Sequence, residues 1–122
     1  MVRDDEAPLQ STFSVEPPFV RVTTTAAPDL AGTQRVLEVL DGLLREHRLR
    51  AVLFDTRGVD PPTPDARECW WAWIEAATHH DRVAVIVMSE MTQIRGNMTA
   101  LSRRSPVRSF TDIAVAEAWL RE

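Results

Sequence analysis

Three histidines and one cysteine are the residues of this chain best suited to metal ligation or nucleophilic catalysis. His79 and His80 stand side by side next to Asp81, at the end of a predicted helix. Neighbours on a helix point about 100° apart, so the two imidazoles do not converge on one metal as the histidines of an H-E-x-x-H motif do. A helix C-terminus attracts such side chains through its dipole, and His47 closes an earlier helix in the same way. Cys69 shares an apolar stripe with Ala66, Trp70, Trp73 and Ala77, which reads as a core thiol rather than a nucleophile paired with a distant base. As the single cysteine it excludes an intrachain disulfide and a C-x-x-C site, and it suits a reducing compartment. The four glycines, Gly32, Gly42, Gly58 and Gly96, form no phosphate-cradling loop, and there is no G-x-S-x-G elbow. No catalytic residue, metal or cofactor is expected, so the chain is read as a non-enzyme.

Binding is the chemistry that remains. Glu90 follows an apolar strand at the carboxyl end where open α/β sheets hold their ligands, although an acid opening a helix has the simpler role of answering the dipole. Arg95, with Arg103, Arg104 and Arg108, reads first as a solvated helix face and otherwise as a basic patch suited to an acidic partner or anionic lipid head groups. Met88, Met91 and Met98 are adaptable filler for a core or the wall of a lipid pocket. The tryptophans are the most informative residues. With Trp70 and Trp73 facing the core, Trp71 falls about 100° away, at or beyond the edge of the buried stripe, where an indole is either covered by a neighbouring element or serves as an anchor for an interface or a bilayer surface.

The elements that position these residues follow from the pattern. Residues 1–10 are charged and read as a flexible leader, leaving one domain over 11–122. Phe13–Glu16 and Phe19–Thr25 are expected strands of a hairpin around Pro17-Pro18. Pro28-Asp29 opens an amphipathic helix whose Leu30, Val36, Leu37, Leu40, Leu43 and Leu44 face the core. Ala51–Phe54 is a buried strand, followed by a proline-rich loop. Thr63, with Pro64 behind it, caps a second helix running to about Thr78. Val83–Met88 reads as a strand covered on both faces. Met91, Ile94, Met98 and Leu101 recur at 3, 4, 3 spacing and predict a third helix with that stripe turned inward. Val107–Phe110 is a last strand, and Thr111 or Asp112 caps a last helix with Ile113, Ala116, Trp119 and Leu120 inward.

The order β-β-α-β-α-β-α-β-α, strands alternating with helices after a hairpin, calls for a mostly parallel sheet flanked by helices. A chain of 122 residues, 44% hydrophobic and 26% charged, fits one such α/β domain. Its net charge of −4 argues against sequence-independent binding to nucleic acid. The acidic opening Asp4-Asp5-Glu6 is unlike a signal peptide, and no apolar run reaches the ~20 residues of a membrane span. A cytoplasmic location is the expectation.

This pattern resembles the STAS domain of bacterial anti-sigma-factor antagonists, and more narrowly the SpoIIAA-like proteins compared with CRAL-TRIO lipid-binding domains. The likeness runs from Phe13 onward. It rests on the element order and on the segments Phe54-Asp55-Thr56-Arg57-Gly58-Val59, Asp81–Val87, Val107–Phe110 and Ala116–Leu120. The resemblance implies a single-domain STAS-like fold and a regulatory role through protein partners. Antagonists of that family carry an Asp-Ser-Ser-Gly-type segment with a phosphorylated serine at the entrance to the second helix. Here Thr63-Pro64-Asp65-Ala66 stands in its place, so the serine switch is absent, and Asp65 offers a fixed negative charge.

Two functional expectations follow. In the first, a non-catalytic regulatory domain self-associates as a homodimer and binds a protein partner through Thr63, Asp65, Arg67 and Trp71. In the alternative, the domain binds a lipid or lipophilic ligand and associates with membrane surfaces, using Trp70, Trp71, Glu90, Met91, Arg95 and Met98.

Overall fold

The computed structural model of the chain describes residues 11–25, 29–76 and 81–122. The expected leader and the His79-His80 pair lie outside the described residues. Strands β1 (Ser11–Glu16) and β2 (Phe19–Thr24) form the antiparallel hairpin, turning at Pro17-Pro18. Helix α1 (Leu30–His47) starts where the Asp29 carboxylate accepts the Gly32 N–H at 2.7 Å, which satisfies a donor that the helix itself leaves free. Then come β3 (Ala51–Asp55), α2 (Pro64–Ala76), β4 (Arg82–Ile86), α3 (Glu90–Ser102), β5 (Val107–Phe110) and α4 (Ile113–Leu120). Ser89 caps α3 and Asp112 caps α4.

The strands lie in the order β1-β2-β3-β4-β5, and every pair after the hairpin is parallel. The expected α/β class and element order are therefore observed. Because side chains alternate across a strand, the register sorts the core into two layers. Val20, Val52, Val83 and Val107 are register partners on one face, where they meet Val36, Leu40 and Leu44 of α1 and Trp71 and Ile74 of α2. Leu53, Ala84, Ile86 and Phe110 point the other way, onto Ala116 and Leu120 of α4.

Two expectations about helix faces need correction. Met91, Ile94, Met98 and Leu101 do not face the core: they are 60%, 54%, 66% and 80% exposed. Close approach decides this, because α3 packs on β5 through Gly96 and Ala100, and a Cβ at Gly96 would collide with Ser109 Oγ. Asn97 then locks the register: its Oδ1 accepts the Ser109 N–H at 2.8 Å, and its Nδ2 donates to the Ser109 carbonyl at 3.4 Å. With small and polar residues against the sheet, the apolar stripe is left facing solvent.

Trp71 is the second: it is only 8% exposed, so of its two readings burial by a neighbouring element holds and the outward anchor does not. The buried line of α2 runs Ala66, Trp71, Ile74, while Cys69, Trp70 and Trp73 are half-buried beside it. Phe54 of β3 draws Trp70 and Trp73 toward the sheet through edge-on contacts at 5.6 and 6.2 Å, and Trp73 Nε1 donates to Asp41 of α1 at 2.9 Å. Trp71 is covered from the far side by Arg103, as described below.

Candidate functional site

Helix α2 leans on α1 and α3 leans on β5, and between these two pairs the sheet is left partly uncovered. The result is a cavity of about 750 Å³. Its floor includes the register row Val22, Phe54, Val85 and Ser109 across β2 to β5, and extends to Thr24, Thr56 and Val87 at the carboxyl ends of the strands. That is the edge of an open α/β sheet where ligands are held. Val36 and Leu37 of α1 and Trp70 and Trp71 of α2 make its apolar walls.

The polar groups are few. Ser11, Thr33 and Ser109 line the cavity and are more than nine-tenths buried, yet their hydroxyls have no hydrogen-bond partner among the described residues. Buried hydroxyls are rarely left so, because an unanswered one costs about 1–3 kcal/mol. Three arginines, Arg67, Arg95 and Arg103, and two acids, Asp60 and Glu68, are among the lining residues. Arg103 is engaged: it donates to Glu75 at 2.9 Å, lies 3.7 Å from Glu68, and covers the Trp71 ring at 4.8 Å. It thereby ties the end of α3 to α2. Arg67 and Arg95 have no ion pair among the described residues and remain open to an added anion.

Of the residues singled out from the sequence, the fold thus brings Trp70, Trp71, Arg67 and Arg95 to one cavity. Glu90, Met91 and Met98 are exposed on α3 and do not line it. Thr63 and Asp65 sit outside it at the start of α2, where Thr63 Oγ1 donates to Asp65 at 2.5 Å and the Asp65 carboxylate accepts the Ala66 N–H at 2.9 Å. That hydroxyl bond holds the Asp65 carboxyl below its ordinary range. Both side chains thus answer one first-turn donor, the Ala66 N–H, as a helix cap does. The arginine patch also divides, since Arg108 points to the α4 side and stacks over Trp119 at 5.2 Å. Sequence reasoning missed the hydroxyls and the sheet row, because their convergence depends on strand register and not on any local motif.

No protein-family model matches the chain, and no curated protein matches it. A solved structure does: an uncharacterized protein of the DUF3478 family with a SpoIIAA-like fold, from Shewanella loihica PV-4. The two are 14% identical over 90% of this chain and 91% of that one, with a TM-score of 0.67. At that identity the likeness is one of fold, and the chain has a SpoIIAA-like fold.

Proposed function

We propose that this chain is a non-catalytic binding domain whose cavity takes one amphipathic molecule, an apolar body with an anionic head. The observation that carries this reading is the cavity itself, with aromatic and aliphatic walls, and with buried hydroxyls and two arginines, Arg67 and Arg95, that have no partner among the described residues. Its size lies within the ~300–1,000 Å³ of small-molecule sites, which pair an apolar lining with a few convergent polar groups. The apolar body lies against Trp70, Phe54, Val36 and Val85, and the head is held by a forked guanidinium, which suits carboxylate or phosphate. A non-catalytic role is supported by what lines the cavity. Among the described residues, Cys69, His47 and Glu90 are not part of its lining, which holds neither a thiol nor an imidazole.

The protein-docking reading through Thr63, Asp65, Arg67 and Trp71 has weaker support. Trp71 is buried, Thr63 and Asp65 are occupied in capping, and Arg67 belongs to the cavity. The test is a titration with dodecanoate, below its micelle concentration, followed by tryptophan fluorescence. Saturable quenching or a spectral shift is expected, with affinity reduced at least tenfold in the Arg67→Gln/Arg95→Gln double variant, as the loss of charge-assisted bonds implies. An unchanged spectrum, or equal affinity in the double variant, contradicts the reading.

A further inference from the structure

Helix α3 is held in an unusual sense. Its inner side is fixed to β5 by Gly96, Ala100 and the two Asn97–Ser109 hydrogen bonds, so the Met91, Ile94, Met98 and Leu101 stripe is turned outward by the packing itself. Met88, just before the helix, is also exposed and extends the same apolar surface toward the cavity. Five large apolar side chains bared along one short element need an occupant.

We infer that this face of α3 docks on an anionic phospholipid surface, with the helix lying in the plane of the interface. The charge beside the stripe is complementary to such a surface. Arg95 within α3 and Arg104 just after it are exposed and have no ion pair among the described residues, and Glu90 is the one acid of the helix. Juxtamembrane arginines are drawn to acidic lipids, and an amphipathic helix buries its apolar face only ~5–10 Å deep. Area argues against a second copy of the chain. A 13-residue helix is roughly 20 Å long, and pairing along it covers on the order of 400 Å² per partner, about half of what a stable protein interface needs. A bilayer has no such requirement, because methionine, isoleucine and leucine side chains enter it singly.

This inference shares Arg95 with the cavity reading and is tested at positions outside the cavity. The experiment is co-sedimentation of the full chain with vesicles of two parts phosphatidylcholine to one of phosphatidylserine, and with phosphatidylcholine alone, at low salt. Partition into the acidic vesicles is expected, weaker into the neutral ones. The Met98→Asp/Leu101→Asp variant is expected to lose at least about tenfold of it, and Arg104→Gln about fivefold. Both variants alter exposed positions outside the cavity lining, so their dodecanoate titration stays that of the unmodified chain, which separates failure of this inference from failure of the cavity reading. Absence of partition, or partition equal in the Met98→Asp/Leu101→Asp variant, overturns the inference. So does a dimer in sedimentation velocity that this variant abolishes, for the face would then belong to a second copy.

Discussion

Trp71 shows how a single side chain changes a functional reading. Reckoned at helical spacing from Trp70 and Trp73, it falls off the buried stripe. In the structure its ring meets Trp70 edge-on at 5.0 Å and lies beneath the Arg103 guanidinium. The signal that would have found it is Ile74, three residues on and fully buried, which shifts the inner face of α2 toward Trp71. Three neighbouring apolar directions are buried because α2 has α1 on one side, the sheet beneath and Arg103 on the other. Trp71→Ala is therefore expected to cost about 3–5 kcal/mol in urea unfolding, the range of large core truncations. A loss below about 1 kcal/mol would mark the residue as peripheral and revive the anchor reading. The cap at Thr63-Pro64-Asp65, by contrast, was legible from residue types alone, since hydroxyl, proline and acid each have a fixed use in a first turn.

At the scale of elements, the strands and most helix boundaries were readable because they depend on local chemistry. Val107–Phe110 emerges with its sequence-predicted bounds, Asp112 is the cap of the two residues expected there, and Asp29, expected within the opening turn of α1, is its cap. Which face of α3 is buried was not readable. Periodicity reports that a helix has two unlike faces, while the choice between them was made by the room available over Ser109. Gly96 and Ala100, four residues apart, were the visible sign of a close approach. Asn97→Ala is expected to destabilise by about 1–3 kcal/mol by leaving Ser109 backbone groups unanswered, and Gly96→Leu by about 1–3 kcal/mol through overpacking. Met98→Asp, on the outward stripe, is expected to stay within about 0.5 kcal/mol of the unmodified chain in the same unfolding measurement. The reverse ranking would return the methionine stripe to the core.

Across the whole molecule, one sheet separates two unlike layers: three helices enclose a cavity on one face, and α4 alone covers the other. Charge ties the second layer together. Arg21 of β2 donates to both oxygens of Glu16 at 2.7 and 2.9 Å and also to Glu117 of α4, joining the hairpin to the last helix. The bond from Arg21 holds the Glu16 carboxyl below its ordinary 4.5, and the bond from Arg57 holds Asp55 below its ordinary 3.8. Carboxylates with depressed values in the fold stabilise it fully above their ordinary values and lose that contribution as pH falls through the folded ones. Unfolding free energy is thus expected to fall as the solution is taken from neutral pH to below 3.8, and Arg21→Gln should flatten the part due to Glu16. A pH profile identical in that variant would contradict the role given to Arg21. The cavity, assembled from all five strands and from α1, α2 and α3, is tested most directly by native mass spectrometry of the chain with dodecanoate. One bound molecule per chain, lost in Arg67→Gln/Arg95→Gln, is the predicted spectrum, whereas a bare chain at saturating dodecanoate, or an adduct indifferent to both arginines, would contradict the account.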